Sequence, residues 1–283
     1  MRILVTGANG FIGSHLVETL VQRNHEVVAL CEYNSFDSKG WLDKSKFKSD
    51  IRFKSGDVRD SELMRQVIQG FDVVYHLAAL ISIPYSYVAP RSFFEVNLMG
   101  TMNVLEAVNS GNNGLLIHTS TSETYGTAKY SPIDEIHPMQ PQSPYSASKI
   151  AADALVRSYF YSFGTPVVIA RPFNTYGPRQ SPRAVIPTIL LQALQSKNSI
   201  MLGDLKPKRS FNYVADTVYQ LVLMSEKTNQ LELGDVYNLG VGDVYSIEEL
   251  VKIIEKVLDT KLEIRLDPER MRPAASEVYL LSS

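Results

Sequence analysis

Short, unbroken apolar runs that alternate with helix-forming segments constrain the fold of this chain more than any other feature of its sequence. Such a run is typical of a strand that is covered on both faces, as in parallel sheets. Between the runs, apolar residues recur every three or four positions, which is the spacing of a helix packed on a sheet. The apolar runs are 3–5, 27–30, 73–75, 115–117 and 167–170. This alternation predicts an α/β fold with a doubly wound parallel sheet and right-handed crossovers.

The regularity of this alternation loosens after about residue 174, where prolines and glycines recur and the predicted elements become shorter. We expect residues 1–174 to form the larger domain, which also receives later segments near 210–240. Residues 175–283 are expected to form mainly a smaller substrate-binding region. No internal repeat or flexible linker is visible, so the two should pack as one unit with a cleft between them. Residues 278–283 carry no helix stop signal, and a truncated C-terminus is one expectation from this.

Composition and charge argue against several classes of function. The chain has 283 residues, of which 28 are basic and 30 acidic, and its net charge of −2 is spread without long runs of one sign. We therefore expect neither a nucleic-acid partner nor a polybasic membrane contact. Cys31 is the only cysteine, which excludes an internal disulfide and a cysteine-based metal cluster, and we expect no metal site. Neither a signal peptide nor a membrane span is predicted, so we expect a cytoplasmic protein.

A glycine-rich turn directly follows the first predicted strand. Its Gly-x-x-Gly-x-x-Gly spacing allows a tight turn, close approach of backbone N–H groups to a pyrophosphate, and tight packing of the next helix on the sheet. A purely structural strand-to-helix turn is the alternative, whereas a nucleoside-triphosphate loop is disfavoured because no Gly-Lys-Ser/Thr follows. The turn predicts a Rossmann-type dinucleotide site, which makes residues 1–174 the expected dinucleotide-binding domain. The residues expected to form it are Gly7, Asn9, Gly10, Phe11, Ile12 and Gly13.

The end of the second predicted strand bears on the choice of dinucleotide. Glu32 is the candidate carboxylate for the adenosine ribose hydroxyls. If the strand ends one residue earlier, Cys31 takes that place and Glu32 points to solvent. The segment from Leu30 contains no arginine, and no lysine before Lys39, to bind a 2′-phosphate. We therefore expect NAD rather than NADP.

A third predicted strand, residues 51–54, is followed by Asp57 and Val58. These two residues are placed to contact the adenine, although Asp57 is equally suited to a turn. Asp60 is the predicted N-cap of the following helix.

Tyr145 and Lys149 lie four positions apart at the start of a predicted helix after Pro144. They should therefore project from one helix face. A nearby ammonium favours a phenolate, so we expect it to lower the pKa of Tyr145 from about 10 toward neutrality. The tyrosine would then be a usable base for an alcohol proton. An exposed helix with an unrelated Tyr and Lys is the alternative.

A hydroxyl-rich segment that contains Thr121, Ser122 and Glu123 follows the predicted strand 115–117. It is expected at the carboxyl edge of the sheet, where folds of this class bind their ligands. Glu123 is a candidate catalytic carboxylate, and its alternative is to accept hydrogen bonds from nearby backbone N–H groups.

Motifs along essentially the whole chain carry a resemblance to a known family. They are Thr6–Gly13, Gly56–Val58, His76–Ala79, Asn97, Thr121–Gly126, Tyr145–Lys149 and Arg171–Arg179. Together these motifs resemble the extended short-chain dehydrogenase/reductase family. Within it the chain resembles the nucleotide-sugar 4,6-dehydratases, particularly those of the legionaminic acid pathway type, through residues 33–43 and 83–90.

The resemblance implies roles for the candidate site. Thr121 would hydrogen-bond the sugar near O4, Tyr145 would remove the 4-hydroxyl proton, and hydride from C4 would go to NAD. Lys149 would also bind the nicotinamide ribose. Glu123 would take the C5 proton while the C6 hydroxyl leaves as water, and hydride would then return to C6. Further cofactor contacts implied in this way are Leu77, Ala78, Ala79, Thr119 and Pro172.

Ser122 departs from the Asp-Glu pair that many dTDP-glucose dehydratases carry at this place. A serine hydroxyl has too high a pKa to protonate a leaving group well. The Thr-Ser-Glu version resembles GDP-mannose dehydratases, which implies that Glu123 serves both steps, but it also occurs in UDP-glucuronate decarboxylases. Glu123 disfavours a 4-epimerase, because that reaction needs no second base.

The resemblance also implies a nucleotide-sugar site in the second region. The diphosphate of the substrate calls for guanidinium groups, and Arg209 and Arg272 are stronger candidates than Arg179 or Arg183. Asn174 would contact the sugar or the first phosphate. The remaining candidates, for the sugar pocket and the base, are Ser82, Tyr85, Val185 and Leu202.

The resemblance therefore implies an NAD-dependent dehydratase that converts an NDP-hexose, such as an N-acetylglucosamine nucleotide, into its 4-keto-6-deoxy product. The enzyme alternatives are a UDP-glucuronate decarboxylase and an NDP-sugar 4-epimerase. The other alternative is an NAD-sensing regulator, which would be expected to lose Tyr145, Lys149 or Glu123. Helices near 91–109 and 145–162 resemble those of the four-helix dimer interface in this family, so a homodimer is expected, unless these helices merely cover the sheet.

Overall fold

The computed structural model describes residues 1–195, 199–240 and 242–282. Its strands are β1 Arg2–Thr6, β2 Glu26–Glu32, β3 Ile51–Gly56, β4 Val73–His76, β5 Leu115–Thr119, β6 Val167–Pro172, β7 Asn174–Tyr176, β8 Ser199–Leu202, β9 Lys208–Tyr213, β10 Val236–Leu239, β11 Val244–Ser246, β12 Glu263–Leu266 and β13 Leu280–Leu281. Its α-helices are α1 Phe11–Gln22, α2 Ser61–Val67, α3 Ile83–Val88, α4 Pro90–Phe94, α5 Gly100–Ser110, α6 Pro144–Phe163, α7 Val185–Gln195, α8 Val214–Glu226 and α9 Ile247–Leu258. A π-helical turn, Glu95–Met99, joins α4 to α5, and a 3-10 helix, Ser122–Tyr125, follows β5.

The large sheet has the strand order β10-β6-β5-β4-β1-β2-β3, and its neighbouring strands all run parallel. The prediction of a doubly wound parallel sheet is therefore confirmed. Because β2 and β3 lie on one side of β1 and β4 lies on the other, the direction of winding reverses at β1. In such sheets the crevice at the carboxyl ends of the strands beside the reversal is where ligands bind.

Helices cover both faces of this sheet, which explains why the strands are unbroken apolar runs. Ile3 and Val5 face a core that includes Leu16 of α1 and residues of α8. Leu4 faces the opposite core, together with Val156 of α6 and residues of α2 and α5. All three β1 side chains are fully buried, and each such side chain contributes about 1.5–3 kcal/mol relative to exposure.

The chain leaves the large sheet at the end of β6 and later returns to it. Strand β7, which begins two residues after β6 ends, pairs with β9 of a smaller sheet. Residues 214–239 then return, because α8 packs on the face covered by α1 and β10 pairs with β6. The smaller region is thus interleaved with the larger one along the sequence.

The smaller region is built around β9. This strand pairs with β7, β11 and β13, while β8 pairs with β12. Helices α7 and α9 bury Ile189, Leu250 and Ile254 in one apolar cluster. Because β13 pairs with β9, the segment between β12 and β13 is held close to the residues of β9.

Helix α6 has defined ends, which fix the position of its first turns. Ser143 caps it, accepting a hydrogen bond from the Ser146 N–H, and Pro144 occupies the first helical position, where proline is favoured. Gly164 ends the helix in the left-handed conformation, at φ 68°. Among the described residues, no helix is long and apolar enough to cross a membrane.

Candidate active site

The glycine-rich turn lies between β1 and α1, beside the end of β4. Gly7 has φ +63°, and a Cβ added to it would lie 2.8 Å from the backbone nitrogen of Ala78. A Cβ on Gly13 would lie 2.2 Å from the carbonyl oxygen of Gly7. The Thr6 hydroxyl oxygen accepts hydrogen bonds from the N–H groups of Leu77 and Ala78, at 3.2 and 3.1 Å. The turn therefore needs glycine, and its backbone and the N-terminus of α1 suit a dinucleotide pyrophosphate.

The other residues predicted for the pyrophosphate belong to the same turn. Asn9 packs against Gly40, where an added Cβ would lie 2.7 Å from the Asn9 carbonyl oxygen. Gly10 is the N-cap of α1, and Phe11 and Ile12 open the helix and pack against the core.

The end of β2 presents Glu32 and not Cys31 to the carboxyl edge. Glu32 is the last residue of the strand and is exposed, whereas Cys31 is fully buried in the core. Lys39 lies nearby, where its ammonium group donates a hydrogen bond to the Ser55 hydroxyl at 2.9 Å. Glu32 is therefore the carboxylate that is available for ribose hydroxyls at this end of the cleft.

Asp57 is engaged by a neighbouring side chain. Arg59 donates to both carboxylate oxygens, at 3.1 Å to Oδ1 and 2.6 Å to Oδ2, and these hydrogen bonds lower the pKa of Asp57. Val58 is buried, with its side chain against Gly100. Asp60 accepts a hydrogen bond from the Leu63 N–H at 3.0 Å, as predicted for an N-cap. The adenine contacts of Asp57 and Val58 stay a prediction.

Tyr145 and Lys149 occupy the first two turns of α6, and both are buried. The Lys149 ammonium group donates a hydrogen bond of 2.8 Å to the carbonyl oxygen of Thr119, at the end of β5. Asn97 joins this helix to the loop after β4, because its amide donates to the Ser148 hydroxyl at 3.0 Å and its Oδ1 accepts from the Leu80 N–H at 2.8 Å. The reactive helix is thereby held against the carboxyl ends of β4 and β5.

The protonation of Tyr145 differs from the prediction. Burial raises the pKa of the phenol, the charge of Glu123 raises it further, and a hydrogen bond with Thr121 acts in the opposite direction. Burial also lowers the pKa of Lys149 to about 8, against the opposing effect of Asp153. The prediction that Lys149 brings the phenol pKa toward neutrality is therefore wrong for the chain by itself, because desolvation disfavours the charged forms of both groups.

Thr121, Ser122 and Glu123 form a tight turn at the end of β5. Thr121 caps the 3-10 helix, and its hydroxyl oxygen accepts a hydrogen bond of 3.2 Å from the Glu123 N–H. The Thr124 hydroxyl donates to the Thr121 carbonyl oxygen at 2.8 Å. All four residues are buried. A hydroxyl that accepts one hydrogen bond can still donate its own proton, so Thr121 can donate to a sugar oxygen.

A cluster of charged side chains lies next to Glu123. Arg272 Nη1 is 4.0 Å from Glu123 Oε2 and 3.8 Å from Glu277 Oε1, and Arg209 Nη2 is 3.4 Å from the same oxygen of Glu277. Burial lowers the pKa of Arg209, against the effect of Glu123. Guanidinium groups held in a partly dehydrated site bind phosphate oxygens well. Sequence reasoning missed Glu277, because nothing in its local pattern indicates a position beside Arg209.

Four predicted ligand contacts have a buried polar atom that lacks a hydrogen-bonding partner within the described part of the chain. These atoms are Thr119 Oγ1, Asn174 Oδ1, Arg179 Nη1 and Arg272 Nη1. A buried polar atom without a partner costs about 1–3 kcal/mol, so folded proteins rarely leave one unsatisfied. A bound cofactor and substrate would supply the missing partners at the carboxyl edge of the sheet.

Two aromatic side chains, Phe93 and Tyr85, lie near Tyr145. The Phe93 ring packs edge-on to Tyr145 with centroids 6.1 Å apart, and Tyr85 lies 6.1 Å from Phe93 on its other side. Tyr85 is half exposed, and Ser82 precedes α3 as its N-cap residue. Phe93 was not among the predicted site residues, since one phenylalanine in a helix has no distinguishing pattern.

The remaining predicted substrate contacts lie in different surroundings. Arg179 pairs with Glu18 of α1 at 2.9 Å, whereas Arg209 and Arg272 lie beside Glu277. Val185 and Leu202 pack into the apolar cluster of α7 and α9. Pro172, predicted to contact the cofactor, is buried at the end of β6. The structure thus brings Arg209, Arg272 and Glu123 together, whereas Arg179 pairs with α1 instead.

Comparison with known proteins identifies relatives over nearly the whole chain. Residues 4–281 match the family described as GDP-mannose 4,6 dehydratase. The dTDP-D-glucose 4,6-dehydratase of Homo sapiens is 32% identical over 271 residues, which are 94% of this chain and 77% of that protein. The dTDP-glucose 4,6-dehydratase DesIV from Streptomyces venezuelae, solved with NAD bound, has a TM-score of 0.88 at 29% identity and covers 100% of this chain and 88% of its own. A UDP-glucuronic acid 4-epimerase from Bacillus cereus, also with NAD, has a TM-score of 0.89 at 30% identity, covering 100% and 90%.

Proposed function

We propose that this chain, which belongs to the GDP-mannose 4,6-dehydratase family of NAD-dependent nucleotide-sugar enzymes, is a 4,6-dehydratase that makes an NDP-4-keto-6-deoxyhexose. The observation that carries the proposal is that Glu123 is buried in the 3-10 helix that packs against α6, the helix of the buried Tyr145. Oxidation at C4 requires the tyrosine, and removal of the C5 proton requires a second base. A 4-epimerase needs only the first of these groups.

NAD is the cofactor of the proposed reaction, and the residues of the cleft fit it. The glycine turn would hold the pyrophosphate, Glu32 would bind the ribose hydroxyls, and Lys149 and Thr119 would lie at the nicotinamide end. A carboxylate at the end of β2 favours ribose hydroxyls over a 2′-phosphate. When bound, NAD accepts hydride from the sugar C4 and supplies it again to C6.

The chain's own groups carry the proton transfers. Tyr145 takes the proton of the 4-hydroxyl in its phenolate form. The Lys149 ammonium group and the positive charge of a bound nicotinamide would favour that form over the neutral phenol of the chain by itself, and the Thr121 hydroxyl would donate a hydrogen bond to the same sugar oxygen. The resulting C4 carbonyl acidifies the C5 proton, which passes to Glu123. Because Ser122 cannot supply a proton readily, Glu123 gives its proton to the departing C6 hydroxyl, which leaves as water. Hydride returns to C6 and C5 takes a proton from water, while Tyr145 releases the proton of the 4-hydroxyl to water, which completes the conversion and restores both residues.

Replacing Gly7 by alanine is expected to weaken NAD binding by at least about tenfold, because the new methyl group would overlap the Ala78 backbone. Gly164→Ala is the matched control. Gly164 has a similar φ of +68°, but nothing lies within 4 Å of its added Cβ. The control should lose about 1–2 kcal/mol of stability from backbone strain alone and keep its NAD affinity. Calorimetric titration with NAD and thermal melts of both variants measure the two effects, and equal affinities would contradict the proposed pyrophosphate site.

Arg272→Met is expected to weaken nucleotide-sugar binding by about tenfold to a hundredfold, since a charge-assisted bond to the diphosphate would be lost. The Kd for the substrate, measured by titration of the NAD-loaded enzyme, checks this. Arg183→Met is the control, because Arg183 is exposed and its Nε donates a long hydrogen bond of 3.5 Å to the hydroxyl of its neighbour Ser181. The loss should shrink at high salt, as expected for contacts between charges. An Arg272 variant with the parent affinity at low salt would remove this residue from the diphosphate site.

The reaction is tested by incubating the protein with UDP-N-acetylglucosamine, GDP-mannose and dTDP-glucose and following the products by NMR. A new C6 methyl signal from one of them supports the proposal. Inversion at C4 without a methyl signal would identify a 4-epimerase instead of a dehydratase. Release of carbon dioxide from UDP-glucuronate, tested as a further substrate, would identify a decarboxylase. NAD binding without turnover of any nucleotide sugar would favour an NAD-sensing regulator.

A 4-epimerase is the second candidate, and the Bacillus cereus structure favours it. The legionaminic acid pathway type is a finer proposal, which rests on residues 33–43 and 83–90, and an N-acetylglucosamine nucleotide is the substrate proposed with it. The three nucleotide sugars of the NMR test differ in their nucleotide and at C2 of the sugar. The one that the enzyme converts therefore indicates which nucleotide and which C2 substituent it accepts.

We also propose that the protein forms a homodimer through the helices α4, α5 and α6. These helices pack side by side and leave apolar side chains exposed, with Met99 at 45%, Tyr161 at 68% and Phe163 at 62%. Light scattering during size-exclusion chromatography should give the mass of two chains. A Met99→Glu/Tyr161→Glu variant should give the mass of one chain.

The location of the protein in the cytoplasm stays a prediction.

A further inference from the structure

One buried carboxylate beside the candidate site has no part in the proposed chemistry. Asp153 lies one helical turn after Lys149 on α6 and is 1% exposed. A buried carboxylate is costly unless other groups pair with it, and an apolar residue would fill the same space at less cost. A charged side chain on the buried face of α6 therefore calls for an explanation.

The partner of Asp153 connects it to the turn that carries Glu123. Arg171, at the end of β6, donates to Asp153 Oδ2 from Nε at 3.0 Å and from Nη2 at 2.8 Å. Its third nitrogen, Nη1, donates to the Tyr125 hydroxyl at 2.9 Å. Tyr125 is the last residue of the 3-10 helix that contains Glu123, and its own hydroxyl donates to Asn238 Oδ1 at 2.8 Å.

This chain of contacts spans the site from one reactive element to the other. It begins on the helix of Tyr145 and Lys149, passes through Arg171, and ends on the turn of Thr121 and Glu123. The members Asp153, Arg171 and Tyr125 are all buried. Fixed hydrogen bonds between buried groups hold elements in one relative position, and small displacements of catalytic groups lower rates strongly.

The titratable groups near Lys149 include Asp153, His118, His76 and Tyr145, and of these Asp153 carries the negative charge. His118 Nε2 is 3.6 Å from Asp153 Oδ1, and the His76 ring lies 5.5 Å from that of His118. Burial lowers the pKa of His118 to about 4 and that of His76 well below its usual value, so both imidazoles are neutral near pH 7. Tyr145 shares the helix face and is neutral as a phenol. Arg171 stands behind Asp153 and pairs with it.

We propose that Asp153 is a positioning residue for the reaction, which fixes the Glu123 turn against the Tyr145 and Lys149 helix through Arg171 and Tyr125. The same carboxylate keeps Lys149 in its ammonium form, the form that donates to the Thr119 carbonyl oxygen. This inference rests on the proposed function for the roles of Glu123 and Tyr145.

The charge of Asp153 is tested by titrating Lys149 in the full chain, with lysine labelled by ¹³C at the ε position and followed by NMR. Lys149→Arg assigns the signal by removing it. The parent should titrate near pH 8. In Asp153→Asn the midpoint should fall by about one pH unit, because the anion that raises the pKa of Lys149 is gone. If the asparagine variant does not fold, Asp153→Asn/Arg171→Gln removes both charges, and the midpoint should still fall but by less, because the Arg171 cation that opposes Asp153 is gone as well.

Tyr125→Phe is the matched variant for the mechanical part of the proposal. It removes the hydroxyl that accepts from Arg171 while the ring and every charge remain. The Lys149 midpoint should be unchanged, NAD reduction by substrate should proceed, and formation of the C6 methyl product should fall by about tenfold or more. The NMR product assay uses the nucleotide sugar that the parent turns over.

Two results would overturn the proposal. One is a folded Asp153→Asn protein, with the parent circular dichroism spectrum, whose Lys149 midpoint has not moved. The other is a Tyr125→Phe protein that forms product at the parent rate. The lysine titration needs no substrate, so a failure of the proposed function, seen as no turnover of any nucleotide sugar by the parent, is distinguishable from a failure of this inference.

Discussion

Glu123→Gln is expected to stop elimination while leaving oxidation of the sugar in place. The amide has the shape of the carboxylate but cannot accept the C5 proton, so product formation should fall by about 10²–10⁴-fold, the usual contribution of a general base. Tyr145 and Lys149 remain intact in this variant. Reduced cofactor and a 4-keto sugar should therefore accumulate on the enzyme.

The near-ultraviolet absorbance of reduced nicotinamide measures the first half of this result, and the NMR signal of the C6 methyl group measures the second. Glu62→Gln is the control, because Glu62 is exposed on α2 and pairs with Arg65 of the same helix. Methyl product formed at the parent rate would remove Glu123 from the mechanism. Loss of cofactor reduction along with product would instead indicate that Glu123 organises the site as a whole.

Tyr145→Phe is expected to stop the reaction one step earlier, before any reduced cofactor forms. The substitution removes the group that takes the 4-hydroxyl proton and keeps the ring that packs against Phe93. Hydride transfer should fall by about 10²–10⁴-fold. Stability should change by only about 1 kcal/mol, since one buried hydroxyl and its hydrogen bond are lost.

Tyr75→Phe is a matched control for this variant. Tyr75 is also buried, and its hydroxyl donates to the carbonyl oxygen of Leu221 at 3.0 Å in the core of the large sheet. It should lose a similar amount of stability in denaturant unfolding and retain hydride transfer. Single-turnover cofactor reduction compares the two. Parent-like reduction in Tyr145→Phe would contradict the assignment of the phenol as the base.

The two variants separate the reaction into stages because they fail at different points. Glu123→Gln should yield reduced cofactor without methyl product, and Tyr145→Phe should yield neither. A 4-epimerase would need Tyr145 and would tolerate the loss of Glu123. The pair of experiments therefore distinguishes the proposed dehydratase from its nearest alternative.

Much of the fold could be predicted from local sequence patterns. The unbroken apolar runs predicted the parallel strands, since burial on both faces leaves no polar alternation. The glycine spacing predicted the turn at β1, and Pro144 predicted the start of α6. Such features depend on residues a few positions apart, so one segment is enough to reveal them.

The protonation of the catalytic pair could not be predicted in the same way. A helical spacing of four places Tyr145 and Lys149 on one face, but it does not give their burial. In the folded chain burial raises the pKa of the phenol and lowers that of the amine. The energetic cost of desolvation depends on every element packed around the pair.

The sequence by itself determined the parallel sheet, the glycine turn and the motifs at the carboxyl edge of the sheet. Each of these features depends on residues within a short stretch of the chain. Only the tertiary structure decided which distant groups meet at that edge. Pairing of β13 with β9 brings Arg272 and Glu277 beside Arg209 and Glu123. Contacts between segments so far apart arise from the packing of whole elements, and no local pattern of residues encodes them.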